Sequence, residues 1–353
     1  MQLLAHYYKH NLEFKRPSGT SRGVLHNKAT YFLRLQDGDS WGIGECAVLA
    51  GLSVDDRPDY EQKLQWACDN IQSGLATLLA ALEEFPSIQF GLEMAFASLA
   101  ASNPFVLIPS AFTTEQSPIA INGLIWMGDT AFMKKQIEEK IAQGFDCIKM
   151  KIGAIDFDQE LEILKAIRAE YSPQDIELRV DANGAFSPEM ALEKLKRLSE
   201  FNLHSIEQPI AVKQWEQMAA LCEASPLPIA LDEELIGITQ ASERQSMLAQ
   251  IDPAYIILKP SLIGGFAGTD AWIAAAQEKS IKWWITSALE SNIGLNAICQ
   301  YTFAKNSNLP QGLGTGSLYT NNIESPLVVA NGTIYYKQGV DWNLDVIDIL
   351  KRN

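Results

Sequence analysis

A repeated strand and helix unit between residue 118 and about residue 316 limits the folds that this chain of 353 residues can adopt. Short apolar strands alternate there with amphipathic helices at a spacing of roughly 25 to 32 residues, the length of one βα unit. Eight such units in a row favour a closed parallel barrel over an open sheet. The predicted strands are centred near Ala120, Ile148, Val180, Ile206, Ala230, Ile257, Trp284 and Leu313.

An open doubly wound sheet is the alternative fold. Such a sheet is expected to carry a glycine-rich phosphate-binding turn after its first strand. The corresponding segment here is Gly123-Leu124-Ile125-Trp126, which has no such turn. We therefore predict an α/β fold, a (β/α)8-type barrel of the modified TIM kind, with an α+β capping domain built from the amino-terminal segment and the carboxyl-terminal tail.

The first third of the chain has a different pattern. Residues 1 to about 40 alternate apolar and polar side chains and end in the turn signal Gln36-Asp37-Gly38-Asp39, which predicts antiparallel strands. Leucines at helical spacing predict helices between residues 57 and 102, and a β-like stretch at 332–336 has no place in an eight-unit barrel. The predicted domains are a capping domain over 1–115, a catalytic barrel over 116–316, and a tail over 317–353 that returns to the capping domain.

Charge and composition limit the classes of function. The formal net charge of −15 argues against a nucleic acid or an anionic membrane as partner, because both require clustered Lys and Arg. A small-molecule substrate fits better.

The amino terminus has no signal-peptide pattern, no apolar run could span a bilayer, and the five cysteines lack CxxC spacing, so we expect a cytoplasmic protein with reduced thiols. The sequence leaves the oligomeric state open.

Three carboxylates end three consecutive predicted strands: Asp181, Glu207 and Asp232 are separated by 26 and 25 residues, one βα unit each. Catalytic groups of such barrels gather at the carboxyl ends of the strands, so these side chains should lie side by side at the mouth. Each acid alone could instead cap the following helix. Together they form an all-oxygen cluster, which is typical of a Mg²⁺ site rather than a zinc site.

The second predicted strand carries two lysines, Lys149 and Lys151. Strand alternation directs the flanking isoleucines and methionine toward the helices and both lysines toward the barrel axis. Close packing of two ammonium groups would favour the neutral amine in one of them, as a general base requires. The alternative is that both lysines extend outward to the surface.

The sixth predicted strand ends in Lys259, which alone would be more typical of a surface or anion-binding residue. Strands two and six face each other across an eight-strand ring, with the three carboxylate strands on the arc between them. A substrate bound at the cluster would therefore have a lysine on each face.

Other polar residues near the strand ends are candidates for binding the substrate. Their signal is weaker, since Ser and Gly also form ordinary turns after strands. An arginine in the amino-terminal loop is expected to close over the mouth. The predicted substrate-binding residues are Lys149, Arg179, Asn183, Ser287, Glu290, Gly314 and, in that loop, Arg22.

Taken together, these residues resemble the pattern of the enolase superfamily, in the muconate-lactonising-enzyme subgroup. That pattern is a Lys-x-Lys strand, then Asp, Glu and Asp on the next three strands, then Lys. Two amino-terminal stretches, 42–46 and 91–95, resemble the capping domain of these enzymes. The resemblance implies Mg²⁺, with Mn²⁺ as a substitute, on the three carboxylates, Lys151 as the residue that moves protons, and Lys259 as a stabilising charge.

Within the subgroup, stretches 16–23, 287–294 and 312–316 resemble those of a hydro-lyase. The implied reaction is the syn dehydration of 2-succinyl-6-hydroxy-2,4-cyclohexadiene-1-carboxylate in menaquinone biosynthesis. Dipeptide epimerases usually end strand eight in Asp-x-Asp, whereas this chain has Gly314-Thr315-Gly316, which lowers that alternative. N-succinylamino-acid racemases and muconate cycloisomerases stay open. An inactive barrel that serves as a binding module would not be expected to keep three carboxylates and three lysines in register.

Overall fold

The structure is a computed structural model that describes residues 3–20 and 23–343, with the side chains of 18–20 excluded. The amino-terminal strands are β1 (Leu4–Thr20), β2 (Gly23–Asp37) and β3 (Ser40–Cys46), which form one antiparallel sheet in that order. The helices that follow are α1 (Tyr60–Asp69), α2 (Leu75–Ala81), α3 (Pro86–Ala100) and the short α4 (Ala111–Thr114). Gly38 has a φ of 59° at the β2–β3 turn, where the sequence predicts one.

The second part of the chain is built mainly of alternating strands and helices. Its strands are β4 (Ile119–Ala120), β5 (Gly123–Ile125), β6 (Cys147–Lys151), β7 (Glu177–Asp181), β8 (Ser205–Glu207), β9 (Ile229–Leu231), β10 (Tyr255–Leu258) and β11 (Lys282–Ile285). Its helices are α5 (Thr130–Ala142), α6 (Phe157–Glu170), α7 (Pro188–Ser199), α8 (Trp215–Ala224), α9 (Ala241–Ile251), α10 (Gly265–Glu278) and α11 (Asn292–Lys305). The tail adds β12 (Leu327–Ala330) and β13 (Thr333–Tyr336). No helix in the described ranges has both the length and the apolar character needed to cross a membrane.

Strands β5 to β11 form one parallel sheet in sequential order, and the edges of that sheet are joined by Gln311 and Gly312. On one side Asn122 N donates to Gln311 O at 2.9 Å, and on the other Gly312 N donates to Ile285 O at 2.8 Å. The sheet is therefore closed into a barrel, as the strand repeat predicts.

Two predicted barrel strands differ from the structure. The segment centred near Ala120 is divided, because β4 pairs with β13 of the tail and only β5 pairs with β6. Near Leu313 the described backbone forms isolated bridges at Gln311 and Gly312 rather than a strand. Pro310 has no N–H to donate, which limits the length of pairing before this bridge.

The antiparallel sheet packs so closely on α3 that the two backbones are in contact. A methyl group on Gly44 of β3 would lie 1.9 Å from the Gly91 carbonyl oxygen, and one on Gly91 of α3 would lie 2.2 Å from Cys46 Sγ. Any side chain at either position would therefore push strand and helix apart. This packing explains why glycines stand in the two amino-terminal stretches that resemble a capping domain.

Glu45 joins this sheet to the barrel. Its carboxylate accepts hydrogen bonds from Ser291 N at 2.9 Å, Ser291 Oγ at 2.5 Å and Gly294 N at 2.8 Å, all at the start of α11. Thr30 Oγ1 of β2 donates a further bond at 2.7 Å. A carboxylate at a helix amino terminus satisfies N–H groups that have no partner within the helix, and it interacts favourably with the helix dipole.

Glu93 makes an equivalent contact from α3. Its carboxyl oxygens accept hydrogen bonds from Phe266 N at 2.5 Å and Ala267 N at 3.0 Å, in the first turn of α10. Burial nevertheless raises the pKa of Glu93 to about 7, because these backbone bonds offset only part of the cost of removing the charge from water.

The tail contacts both parts of the molecule. Tyr319 packs its ring on Phe14 of β1 with centroids 4.7 Å apart, and Asn321 Oδ1 accepts a hydrogen bond from Glu13 N at 2.8 Å. The predicted strand at 332–336 does not join the antiparallel sheet, however. It pairs instead with β12 and β4.

We predict that Glu93→Gln removes a pH dependence from stability. The folded-state pKa of about 7 lies above the ordinary value near 4.5, so wild-type protein loses stability as the pH rises through this window. The amide does not titrate. The free energy of unfolding of wild type relative to the variant should therefore fall by about 3 kcal/mol between pH 4.5 and pH 8, measured by urea denaturation.

Glu162→Gln is the matched control, because Glu162 forms an exposed pair with Lys165. Its stability should follow that of wild type across the same pH range. A constant difference between wild type and Glu93→Gln would contradict the prediction.

Candidate active site

A cavity of about 710 Å³ lies at the carboxyl ends of the barrel strands, between the barrel and the amino-terminal sheet. The barrel contributes Lys149, Lys151 and Lys259 to its lining. Apolar side chains of both parts surround these charges, and they include Leu25, Leu49, Leu52, Trp126, Leu289 and Leu318. A deep site with an apolar wall and a few convergent polar groups is typical of a small-molecule site.

Lys149 is buried at the centre of the charged cluster. Its Nζ forms an ion pair with Asp181 Oδ2 at 2.8 Å and another with Glu207 Oε2. Burial alone would lower the pKa of Lys149, but the surrounding carboxylates outweigh burial and hold that pKa above its ordinary value. The expectation that close packing of the two lysines leaves one amine neutral therefore does not apply to Lys149.

Lys151 lies on the same strand, two residues further toward the mouth. Its Nζ donates to Asp181 Oδ2 at 2.6 Å and to Asn183 Oδ1 at 2.8 Å. Asn183 adopts a φ of 45° after the end of β7, and its Nδ2 donates to Glu233 Oε1 at 2.9 Å. A non-glycine residue in this left-handed conformation costs on the order of 1 to 3 kcal/mol, and here it places the amide between an ammonium and a carboxylate.

Lys259 follows β10, four strands away from β6 across the ring. Its Nζ forms an ion pair with Asp232 Oδ2 at the end of β9. Burial would lower the pKa of Lys259, but Asp232 and Glu207 outweigh burial and raise it. The structure therefore places ammonium groups on both sides of one cavity, with the carboxylates between them.

The three predicted carboxylates are buried, with 0 to 2% of each residue exposed. Burial and the neighbouring charge of Asp181 raise the pKa of Glu207 well above its ordinary value. Burial would also raise the pKa of Asp181 and Asp232, but the lysines and a hydrogen bond from Glu207 lower both. Among the three carboxyl groups, Glu207 is therefore the one whose charged form its surroundings favour least.

Each carboxylate of the cluster also forms an ion pair with a lysine. These ion pairs affect how the cluster can bind a metal ion. Among the residues that the structure describes, no three acidic, His or Cys side chains are arranged to hold a metal ion as they stand. Glu207 Oε1 is buried, and no donor of the described residues reaches it. A buried acceptor without a partner is costly, so the cluster has an oxygen available for a cation.

One wall of the cavity is the segment after β11. Ser287 Oγ donates to Glu290 Oε2 at 2.7 Å, accepts from Leu289 N at 3.0 Å, and lies 2.8 Å from Thr315 Oγ1. Since Ser287 has one hydroxyl proton, Thr315 is the donor of the last bond. Leu289 has a φ of 66°. The Ser287 hydroxyl therefore uses its one donor and both of its acceptor positions in hydrogen bonds within the protein.

The other predicted substrate-binding residues differ in their placement. Gly314 lines the cavity, whereas Glu290 is buried behind it and also accepts from Ser261 Oγ at 2.5 Å. Arg179 does not reach the cavity: it lies two residues deeper on β7, pairs with Glu177 at 2.7 Å and stacks on Trp284. Strand alternation puts Arg179 on the inner face, but one layer below Asp181, so the structure does not support a substrate contact. Arg22 lies outside the described residues.

Several residues of the site were not predicted from the sequence. Glu233 touches Asn183, and Gln208 Oε1 accepts from Asp232 N at 3.3 Å behind the carboxylates. Lys15 and Arg16 of β1 line the cavity. The acidic run after β9 and the basic pair near the amino-terminal loop were the available signals, but neither one specifies its partners.

Two protein families match the chain. The family described as "Enolase C-terminal domain-like" matches residues 132–340, and the one described as "MenC, N-terminal domain" matches residues 3–99. The first match alone covers more than half of the chain. It includes β6 to β11 and all of the lysines and carboxylates of the cluster.

Comparison of the chain with individual proteins gives the same assignment. An o-succinylbenzoate synthase of Desulfotalea psychrophila is 48% identical over 93% of this chain and 97% of its own length. The crystal structure of MenC from the same organism has a TM-score of 0.84 with 44% identity, and covers 94% of this chain and 99% of that chain. Muconate lactonizing enzyme from Pseudomonas fluorescens, at 20% identity and a TM-score of 0.81 over 98% of this chain and 97% of its own, shares the fold. The chain belongs to the enolase superfamily, with the amino-terminal domain of the MenC family.

Proposed function

We propose that this chain is an o-succinylbenzoate synthase, a hydro-lyase of menaquinone biosynthesis. The observation that carries the proposal is the placement of Lys151 and Lys259 on opposite sides of one cavity, with three buried carboxylates between them. The 48% identity to a protein of that name over nearly the full length of both chains supports the choice within the superfamily. The substrate is 2-succinyl-6-hydroxy-2,4-cyclohexadiene-1-carboxylate.

Asp181, Glu207 and Asp232 fit a hard divalent cation. They offer oxygen ligands from three adjacent strands, and Glu207 Oε1 has no donor among the described residues. When bound, Mg²⁺, or Mn²⁺ in its place, supplies a Lewis acid that stabilises negative charge on the substrate carboxylate. A lysine base beside Mg²⁺ is the general arrangement of enolase-superfamily sites, and the residues of this chain match it.

Lys151 moves the proton in this proposal. Its Nζ removes a proton from the ring carbon that bears the carboxylate. The electron pair left on that carbon delocalises into the carboxylate. The same ammonium then returns the proton to the 6-hydroxyl group as the carbon–oxygen bond breaks. Water leaves from the face on which the proton was removed, and the new double bond completes the aromatic ring.

Lys259 stabilises the charge that develops on the substrate and moves no proton. Lys149 holds two of the buried carboxylates in position through its ion pairs with Asp181 and Glu207. Asn183 orients Lys151 through the 2.8 Å hydrogen bond to its Nζ. The apolar wall excludes water from the reacting carbon.

The two lysines should respond differently to substitution by arginine. Lys151→Arg should lower kcat by about 10²- to 10⁴-fold or more, because it removes the group that acts as base and then as acid. Lys259→Arg keeps the charge and should retain measurable dehydration. Turnover of the cyclohexadiene substrate by purified protein measures both.

Lys282→Arg is the matched control, because Lys282 is exposed at the start of β11. Its turnover should equal that of wild type. Equal and complete loss in the Lys151 and Lys259 variants, with wild type exchanging the α-hydrogen of a succinylamino acid from both faces, would indicate a racemase instead.

Asp232→Asn should fold normally and bind Mg²⁺ at least about tenfold more weakly, because one charged ligand is lost while its shape is kept. Isothermal titration calorimetry measures the affinity. Asp175→Asn, at an exposed turn, should leave it unchanged. Unchanged affinity in Asp232→Asn would remove Asp232 from the ligand set.

Lys149→Met should destabilise the metal-free protein by about 3 to 5 kcal/mol, because it leaves Asp181 and Glu207 buried without their common cation. Urea denaturation in EDTA measures the loss. Adding Mg²⁺ should restore part of it, since the ion replaces the missing positive charge. Lys165→Met, which removes an exposed pair, should change stability by less than about 1 kcal/mol. A loss that Mg²⁺ does not relieve would argue against a metal site on these carboxylates.

A further inference from the structure

Gln208 is a buried glutamine that directly follows Glu207, and its side chain reaches the next carboxylate strand. Only 1% of the residue is exposed. Its Oε1 accepts hydrogen bonds from Asp232 N at 3.3 Å and from Glu234 N at 3.3 Å. One side chain therefore joins the end of β8 to the backbone that carries the carboxylate of the adjacent strand.

The side-chain amide of Gln208 has one orientation that satisfies its neighbours. Its Nε2 donates to two oxygen acceptors, Ile210 O at 3.1 Å and Glu234 Oε2 at 3.1 Å. Its Oε1 faces two backbone N–H groups, which can only donate. The amide thus uses both of its donors and both of its acceptor positions, and turning it over would lose these contacts.

Glu234 fixes the far end of this contact. It is 4% exposed, and its Oε1 accepts hydrogen bonds from Lys213 N at 2.7 Å and from Trp215 Nε1 at 2.8 Å. The segment between β8 and α8 therefore holds Glu234, and Glu234 in turn holds the amide of Gln208. A buried polar network whose members are hydrogen-bonded is rigid and defines one arrangement of the groups that it joins.

The backbone of Gln208 is also bonded on both sides. Gln208 N donates to Ala230 O at 2.9 Å, and Gly184 N donates to Gln208 O at 2.7 Å. Ala230 lies in β9 and Gly184 follows β7, so the residue is attached to both strands that flank β8. Gln208 is therefore a fixed point among the three strands that carry the buried carboxylates.

We propose that Gln208 is a positioning residue: its amide fixes the separation of Glu207 and Asp232 and thereby favours Mg²⁺ over larger cations at the carboxylate cluster. This inference rests on the proposed function, because it concerns the metal site of that reaction. Mg²⁺ requires near-octahedral geometry at about 2.0 to 2.1 Å, whereas Ca²⁺ accepts flexible arrangements at about 2.3 to 2.6 Å. Carboxylates that are held less firmly should therefore lose Mg²⁺ far more readily than Ca²⁺.

Isothermal titration calorimetry with Mg²⁺ alone and with Ca²⁺ alone measures this selectivity. Gln208→Met keeps the length of the side chain but cannot bond to Asp232 N. It should raise the Kd for Mg²⁺ about tenfold or more, while the Kd for Ca²⁺ changes by less than about threefold. A ratio of the two Kd values equal to that of wild type would overturn the proposal, because a merely structural residue would affect both ions alike.

Gln300→Met is the matched control. Gln300 is also buried, accepts from Ile108 N at 3.0 Å and donates to Phe105 O at 2.8 Å, but it lies on α11, which carries none of the carboxylates. The variant should lose stability in urea as Gln208→Met does, with both Kd values unchanged. The same change of ratio in Gln300→Met would overturn the proposal, since selectivity would then follow from stability alone.

Gln208→Asn replaces Gln208→Met if the latter does not fold. Asn is well suited to the φ of 38° at this position, and it keeps the amide but is one CH₂ too short to hold both sides. The same loss of Mg²⁺ selectivity is expected, and wild-type selectivity in this variant would contradict the proposal.

These titrations need no turnover, so a failure of the proposed reaction is distinguished from a failure of this inference. If wild type binds neither ion, the metal site of the proposed function is wrong. The positioning is then measured in crystal structures of metal-free wild type and variant. A shift of the Asp232 carboxylate by more than about 0.5 Å would support it, and an unmoved carboxylate would overturn it.

Discussion

The structure depends on a balance of charges that are removed from water. Three lysines and the acidic side chains at the ends of β7, β8 and β9 are buried together, and each ammonium has a carboxylate partner. Neither sign could be buried alone, because an unpaired ion in the interior costs several kcal/mol. The barrel supplies this balance by its geometry, since equal spacing along the chain brings the strand ends together at one rim. The same balance gives the site its chemistry: groups held close enough to stabilise one another are also close enough to exchange protons and to act on one ligand.

Buried acidic side chains also join the amino-terminal part of the chain to the barrel. Glu45 and Glu93 direct their carboxyl groups to the first turns of α11 and α10, where backbone N–H groups have no partners within the helix. The contact between Gly44 and Gly91 keeps the strand and the helix that carry these acids at a fixed distance. The result is a cavity whose charged floor belongs to the barrel and whose rim belongs to both parts.

Much of this could be predicted from the sequence. The repeat length predicts the barrel, and the register of Asp181, Glu207 and Asp232 predicts their common rim, because both follow from the period of a strand and helix unit. Arg179 shows the limit: alternation predicts its inward direction, but only the structure shows that it lies one layer too deep and stacks on Trp284. The contact of Gln208 with Asp232 could not be predicted either. It depends on a partner in another part of the chain, and no local pattern specifies such contacts.

The way in which the sheet is attached has a consequence for evolutionary divergence. Glu45 and Glu93 accept hydrogen bonds at helix starts, and in the described part of the chain none of these bonds comes from β6 to β10, whose ends carry the lysines and carboxylates. Substitutions that reshape the strands over the cavity can therefore accumulate without disturbing the reacting groups, provided that the two acids and the glycine contact are kept. Selection for a new ligand can act on the cover while the older chemistry below stays unchanged. A chain built in this way is a good starting point for descendants that perform one proton transfer on many different molecules.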